Sequence, residues 1–457
     1  MAALFQKLRI WIDNIPAKLL NQRPQEHAAS SIETRCRTEE IVRLLQAEDW
    51  TGLHGRFALP LRWLVPSLAL RKGFDLVRLS AGALEQVESP VVSTGWLPGA
   101  KVPLRFQRAK LALSLTMTPY GSLIGFRFVP LSLAGLGKEW RSPVYAPEEG
   151  VEEQEFDLGP PGLKVKGMLT LPRDTAKAPC IVMLPGSGPM DRDSSVGPCK
   201  PFRDLALGLA GRRVATIRFD KITLTYVRKV QHKKTFTLTD EYLEHALDEV
   251  RQCLAHERIM NDGVFVLGHS LGGYVAPKLA SMESRIAGCI LMATPSIPVH
   301  RSALRQYRHF AAMDETPSDA SKEQIEDLER QCELADSEDS DLSTPATRLP
   351  LGIGPAYWLD MRNFTPLHTA ANLKKPFLVI QGGRDYQVTA SEDYADWQHA
   401  LRDKMDATMR VYEKLNHLFI EGDGQSTPLE HETPGNVAEA VIQDIAGWVS
   451  DTLKAKA

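Results

Sequence analysis

One pentapeptide of this chain has the residue types and spacing of a reactive serine on a sharp turn. It is Gly-His-Ser-Leu-Gly at residues 268–272, and it follows the apolar run 264–267 directly. A helix-like stretch begins at its end. Strand, G-x-S-x-G and helix in this order predict a nucleophile elbow, whose two glycines let strand and helix approach closely. The turn would lift the Ser270 hydroxyl clear of the sheet, where it could attack an electrophilic carbon.

A serine hydroxyl is a weak nucleophile, so this chemistry requires an acid and a base elsewhere in the chain. For an elbow of this type the chain order is Ser, then Asp or Glu, then His. Asp385 follows the apolar strand-like run 377–381 and a Gly-Gly pair. His417 lies in the loop after the last strand-like run, 409–413. We therefore predict that Asp385 is the acid and His417 the general base.

Other histidines fit the role of the base less well. His431 is the nearest rival in the sequence. His399 lies in the helical stretch between the last two predicted strands. His269 adjoins the serine, but we expect the sharp turn to direct its side chain elsewhere. His417 is the histidine whose loop can return over the elbow.

A tetrahedral intermediate needs two preorganised N–H donors for its oxyanion. The first is expected to be the backbone amide of Leu271, the residue after the nucleophile. The second should come from the loop 186–188, Gly-Ser-Gly, which follows the strand-like run 181–184. We predict the Ser187 amide for this role, with its glycine neighbours as alternatives, because flexible glycines let a backbone turn its amides inward.

Length and composition indicate an enzyme of two domains. The chain has 457 residues, of which 43% are hydrophobic and 24% charged, ordinary values for a globular protein. A net charge of −3 gives no field that would attract nucleic acid. Six widely spaced cysteines without a C-x-x-C motif indicate reduced thiols and a cytoplasmic protein. No apolar run is long enough to predict a membrane span.

The N-terminal residues 1–36 form an arm with an amphipathic stripe. Leu4, Leu8, Trp11, Ile15 and Leu19 follow helical spacing, and lysine and arginine residues interrupt them. These charges argue against a secretory signal. The stripe is expected to pack on its own domain or on a partner subunit, which would make the protein a homodimer. Attachment to a membrane surface is the weaker alternative.

Residues 37–145 predict a first domain of α+β class. A helix is expected over 38–56, followed by extended runs over 86–96, 102–107, 110–117 and 122–129. The run 110–117 alternates with the period of two that a half-buried strand shows. A helix packed on an antiparallel sheet would satisfy both patterns. No catalytic constellation is found in this domain.

Residues 146–457 predict a doubly wound, mostly parallel α/β sheet, because short apolar strands alternate with helical stretches. The alternation lapses over about 295–375, which we interpret as a helical cap inserted over the carboxyl edge of the sheet. Its acidic run 314–341 is expected to be a solvated helix face. The basic run 221–237 is expected to be a solvated loop.

These residues resemble the α/β-hydrolase superfamily, and more closely the two-domain bacterial carboxylesterases of the EstD type. The first 145 residues resemble more loosely the N-terminal domain of unknown function that is fused to such enzymes. The stretches that carry the closer resemblance are 186–193, 268–273, 357–360, 383–389 and 416–419.

The resemblance implies a serine esterase without metal or organic cofactor. Its substrate would be a small-molecule ester, cleaved through an acyl-enzyme by Ser270, His417 and Asp385. The same triad would serve an acyltransferase, a thioesterase or a lactonase acting on a specialised metabolite. A non-catalytic receptor with a hydrolase fold is a third reading, and the presence of all three triad residue types argues against it.

Overall fold

The computed structural model describes residues 31–146, 148–230, 233–314 and 318–456, and these fall into two compact units. The first unit takes in the chain up to Glu139 together with Tyr307–Asp327 and Thr427–Thr433. The second unit comprises Trp140–Gln306, Leu328–Ser426 and Pro434–Ala457. The amphipathic stripe predicted for residues 4–19 lies outside the described residues.

From residue 31, where the described chain starts, the first unit consists of helices followed by a sheet. The helix predicted over 38–56 is in fact two helices, because Glu48 has a φ of 52° and Asp49 caps the second of them through the Gly52 amide. The four helices of this part are α1 (Ser31–Gln46), α2 (Trp50–His54), α3 (Leu59–Arg62) and α4 (Ser67–Ala81).

The sheet of the first unit is antiparallel, with the order β1-β3-β4-β5 and β2 paired to β3. Its strands are β1 (Leu84–Val87), β2 (Val91–Ser93), β3 (Gly99–Phe106), β4 (Lys110–Met117) and β5 (Leu123–Pro130). Phe74 of α4 packs with Phe106 and Phe128 of the sheet in one apolar core. The predicted α+β class of this domain is confirmed.

The second unit is built on an eight-stranded sheet with the order β13-β12-β11-β10-β8-β9-β7-β6. The pairs β9–β8, β8–β10, β10–β11, β11–β12 and β12–β13 are parallel. β7 pairs antiparallel with β9, and β6 pairs antiparallel with β7. The strands are β6 (Val151–Leu158), β7 (Val165–Pro172), β8 (Ala178–Leu184), β9 (Ala215–Phe219), β10 (Ile259–His269), β11 (Ile286–Met292), β12 (Phe377–Gly382) and β13 (Ala407–Tyr412). The predicted mostly parallel α/β sheet is confirmed.

Helices alternate with these strands. β11 and β12 are buried along their whole length, as strands of a sheet covered on both faces must be. The helices between and after the strands are α5 (Pro201–Ala210), α6 (Ile222–Thr225), α7 (Val227–Val230), α8 (Leu238–Ala255), α9 (Leu271–Met282), α14 (Ala395–Leu401) and α15 (Glu439–Lys454).

The described residues between β11 and β12 form four further α-helices. They are α10 (Val299–Ala312), α11 (Asp319–Asp336), α12 (Pro355–Arg362) and α13 (Pro366–Asn372). One part of this insertion, Tyr307–Asp327, groups with the first unit. Arg108, whose side chain is almost fully buried, donates to Asp314 over 2.6 Å within that unit.

The cysteines and the hydropathy of the helices can be compared with the predictions from the sequence. None of the six cysteines, which all lie in the described residues, forms a disulfide bond; five of them are buried and Cys36 is exposed. Over the described ranges, the protein contains no helix with both the length and the apolar character needed to cross a membrane.

Candidate active site

Ser270 lies at the junction of β10 and α9 with a strained backbone. Its φ of 54° and ψ of −123° are values that residues other than glycine adopt rarely. Its own amide donates to the Met292 carbonyl over 2.9 Å, which ties the turn to the neighbouring strand β11. A Cβ on Gly272 would overlap the Leu184 carbonyl, so glycine is required where helix and sheet meet. The sequence therefore folds locally into the predicted strand, sharp turn and helix.

Asp385 follows the end of β12 and is held by four donors. Its Oδ1 accepts the Gln387 and Val388 amides at 2.8 and 3.1 Å. Its Oδ2 accepts the Gln381 side-chain amide at 3.2 Å and His417 Nδ1 at 2.7 Å. Both Asp385 and His417 are buried. The structure thus joins the predicted acid to the predicted base in a short hydrogen bond.

His417 is held in a tight loop after β13. The Asn416 side chain accepts the Leu418 and Ile420 amides at 3.0 and 3.1 Å, which closes the loop on itself. A Cβ on Gly382 would lie 2.6 Å from the Asn416 carbonyl oxygen, so glycine lets the acid strand and the histidine loop approach. The backbone of the His417 loop is thus held by its own hydrogen bonds after β13 and by its close approach to the end of β12.

His269 connects the elbow to the histidine loop, which the sequence did not indicate. Its Nε2 lies 2.9 Å from the His417 carbonyl oxygen, and the two rings are 4.7 Å apart. Its side chain is directed to the backbone of the His417 loop, because that loop returns over the end of β10. Burial, followed by the nearby His417, lowers the pKa of His269 to about 3. His269 is therefore neutral at physiological pH, and its Nε2–H donates to that carbonyl.

The rival histidines have other surroundings. His431 lies in a short helical turn, Pro428–Glu432, that belongs to the first compact unit. His399 lies in α14 with its Nδ1 next to an arginine on the protein surface. Among the histidines weighed from the sequence, His417 alone is bonded to Asp385 in the described structure.

The two predicted oxyanion donors lie at the ends of the elbow and of β8. Leu271 is the first residue of α9, so its amide has no acceptor within the helix. Ser187 follows Gly186, on which a Cβ would lie 3.3 Å from the Ser270 Cβ. In the part of the chain that the structure describes, neither amide donates a hydrogen bond. Neither N–H group therefore has an acceptor among the described protein atoms.

Lys221 contradicts the prediction of a solvated loop over 221–237. The chain forms α6 and α7 there, and the Lys221 side chain is completely buried. Its Nζ lies 2.9 Å from the Gly186 carbonyl oxygen and 2.8 Å from both Tyr242 Oη and Glu241 Oε1. Glu241 and Tyr242 come from α8, some twenty residues onward, and Gly186 precedes Lys221 by 35 residues, so only the folded chain brings them together.

The described residues contain no cluster of three or more histidine, cysteine or carboxylate side chains that could hold a metal ion. The described site holds a hydroxyl on a strained turn, Ser270, and an imidazole bonded to a carboxylate, His417 with Asp385, in a loop that contacts the residue before Ser270. These are the groups that acyl transfer through a serine requires.

The chain is similar to known proteins over most of its length. The sequence model of the alpha/beta hydrolase family matches residues 181–431. Esterase EstD of Thermotoga maritima is 32% identical over 347 residues, which are 76% of this chain and 78% of that protein.

Solved structures also match. Est1E from Butyrivibrio proteoclasticus is 15% identical, with a TM-score of 0.42, over 66% of this chain and 99% of its own. Pyrococcus horikoshii acylaminoacyl peptidase is 14% identical, with a TM-score of 0.43, over 80% of this chain and 56% of its own.

Proposed function

Because the chain belongs to the alpha/beta hydrolase family, we propose that it is a serine esterase that cleaves carboxylic esters through an acyl-enzyme. The observation that carries this proposal is the 2.7 Å hydrogen bond between Asp385 and His417, in a loop bonded to the elbow of Ser270. The identity to an esterase over three quarters of the chain supports the choice of substrate class.

In the acylation step, Ser270 Oγ attacks the ester carbonyl carbon while His417 Nε2 accepts the hydroxyl proton. Asp385 accepts the Nδ1–H, which fixes the tautomer and stabilises the imidazolium. The carbonyl oxygen becomes an oxyanion and accepts the Leu271 and Ser187 amides. As the C–O bond breaks, His417 returns the proton to the leaving alcohol. Water then attacks the acyl-Ser270 ester by the same route, which releases the acid and restores the serine.

The proposal is tested by labelling and turnover on the full-length protein. A fluorophosphonate should modify the protein, and a panel of p-nitrophenyl esters from acetate to palmitate should be hydrolysed. Transfer of the acyl group to an added alcohol faster than to water would assign the protein as an acyltransferase instead. A folded protein that neither reacts with the fluorophosphonate nor hydrolyses any ester of the panel would overturn the proposal and favour a receptor.

The pH profile of kcat/KM should fall on its acidic side, because a protonated His417 cannot accept the serine proton. His269 does not produce this limb. Its pKa is lowered to about 3, so it stays neutral over a range from about pH 5 to about pH 9. The measurement is kcat/KM for p-nitrophenyl acetate across that range. A profile that is flat from end to end would contradict the role of a histidine base.

The first unit is proposed to influence ester selectivity through residues 307–327 of the insertion. Arg108 donates to Asp314 and to the Leu79 carbonyl, and its guanidinium lies 6.0 Å from the Phe310 ring. We expect Arg108→Met with Asp314→Asn to leave acetate hydrolysis within about 2-fold and to shift the preference among long acyl chains. Both charges are removed together, because removal of one partner would leave the other charge without compensation.

The exposed pair Lys72–Glu323, 3.3 Å apart in the same unit, supplies the matched control. Lys72→Gln with Glu323→Gln should change neither stability nor selectivity, because surface ion pairs contribute little. Identical ester profiles for wild type and the Arg108 double variant would contradict an influence of the first unit on selectivity and leave it only a stabilising role.

A further inference from the structure

Lys221 is a completely buried lysine whose three ammonium protons all have partners. They point at the Gly186 carbonyl, at Tyr242 Oη and at Glu241 Oε1, each within 2.9 Å. Its backbone amide donates to the Met190 carbonyl over 3.0 Å. Side chain and backbone of this single residue therefore hold both ends of the loop 186–190. A lysine is rarely buried so completely unless it is paired, as Lys221 is with Glu241.

The contact to Gly186 determines where the Ser187 amide points. The Gly186 carbonyl and the Ser187 N–H belong to one peptide group, which is planar and trans. In such a group the carbonyl and the N–H point in opposite directions. When Lys221 holds the carbonyl on one side, the Ser187 N–H is turned to the other side, away from the lysine.

Tyr242 supplies a second contact to the same loop. Its hydroxyl lies 3.0 Å from the Pro185 carbonyl and 2.9 Å from the Gly186 carbonyl, and it can donate its proton to either. The Pro185 carbonyl shares its peptide group with the Gly186 amide, so this contact orients the neighbouring N–H in the same manner. Lys221 and Tyr242 together limit the rotation of two successive peptide planes beside Ser270.

Glu241 makes the buried charge tolerable. Burial lowers the pKa of Lys221, and the carboxylate of Glu241 opposes that shift. Tyr357 Oη donates to Glu241 Oε2 over 2.7 Å, which satisfies the second oxygen. The Lys221 ammonium lies next to the Gly186 carbonyl, and the peptide group of that carbonyl also contains the Ser187 N–H. A peptide polarised in this way is a stronger donor on its N–H side.

The geometry points to Lys221 as a positioning residue that aims the Ser187 amide at the oxyanion of the tetrahedral intermediate. The inference rests on the proposed ester hydrolysis and extends it, because Lys221 contacts neither substrate nor the triad. It assigns a task to a residue that the triad chemistry leaves unused. It also explains why a charged side chain lies buried beneath a glycine-containing loop.

The test removes both charges, because Lys221→Met alone would leave Glu241 buried without its cation. For Lys221→Met with Glu241→Gln we expect kcat for p-nitrophenyl acetate to fall about 10- to 100-fold. This is less than the loss of about 10²- to 10³-fold on removal of an oxyanion donor, because the amide is misplaced and not removed. KM should change less than about 3-fold. The affinity for a trifluoromethyl ketone, which forms an oxyanion on Ser270, should fall by the same factor as kcat.

The matched control is a second lysine–carboxylate pair of the same unit, Lys278 and Asp360, 2.9 Å apart. Lys278→Met with Asp360→Asn should leave kcat for the acetate ester and the ketone affinity within about 2-fold. A general loss of packing would lower both double variants alike, whereas a role in aiming the amide lowers only the first.

Three results overturn the role of Lys221. The first is a folded, active Lys221 double variant with unchanged kcat and ketone affinity. The second is an equal loss in the control. If circular dichroism finds the Lys221 double variant unfolded, Tyr242→Phe decides, since it removes only a hydroxyl. The third overturning result is a Tyr242→Phe variant with the kcat and the ketone affinity of the wild type. A wild-type protein with no turnover and no ketone binding would instead overturn the ester hydrolase itself.

Discussion

Ser270→Ala is expected to lower ester turnover by about 10⁴-fold or more while the protein stays folded. The hydroxyl is the group that becomes acylated, so no other side chain can substitute for it in the proposed reaction. The Ser270 amide, which bonds to the Met292 carbonyl, is kept by alanine, so the elbow should keep its shape. The measurement is kcat/KM for p-nitrophenyl acetate, with circular dichroism as the check on the fold.

Two further variants separate chemistry from stability at this position. Ser270→Gly should be equally inactive, yet more stable by about 1 kcal/mol, because glycine adopts a positive φ without strain. Ser281→Ala removes an exposed hydroxyl near the end of the same helix and should keep full activity. Substantial turnover by Ser270→Ala would end the assignment of the nucleophile.

His417→Ala and Asp385→Asn should each lower kcat by about 10⁴-fold, with little change in KM. Alanine removes the base. Asparagine can still accept the Gln387 and Val388 amides through its oxygen, so the loop geometry should persist. Its NH₂ group faces His417 Nδ1 as a donor, however, and this favours the wrong tautomer of the imidazole. The losses are measured as kcat at saturating ester.

The rival histidines are the controls for this second prediction. His431→Ala and His399→Ala should retain activity within about 3-fold, because in the described structure neither is bonded to Asp385. An inactive His431→Ala beside an active His417→Ala would transfer the role of the base to His431.

Much of the fold and of the candidate site could be predicted from local sequence. The apolar runs of β8, β11 and β12 are uninterrupted because helices cover both faces of the sheet, so their composition alone indicates buried strands. The elbow is equally local, since strand, turn and helix are consecutive. Asp385 and His417 can be proposed from the sequence because each follows a strand end, and the carboxyl ends of parallel strands share one edge of the sheet.

What could not be predicted depends on contacts between distant parts of the chain. β6 pairs only with β7, and its exposed glutamates at alternate positions hide the strand in the sequence. In the sequence, Lys221 cannot be distinguished from the other basic residues of its run, because its burial depends on contacts with α8. The grouping of Tyr307–Asp327 with the first unit follows from packing. No periodicity in the sequence carries that information.

Mapping the covalent adduct tests the central claim most directly. Trypsin should release residues 259–278, since Arg258 precedes this segment and Lys278 ends it, and Ser270 is its only serine. After reaction of the full-length protein with a fluorophosphonate, mass spectrometry of this peptide should find the phosphonyl group on Ser270, in step with the loss of esterase activity. An adduct on any other residue, or complete inactivation with an unmodified 259–278 peptide, would contradict the account.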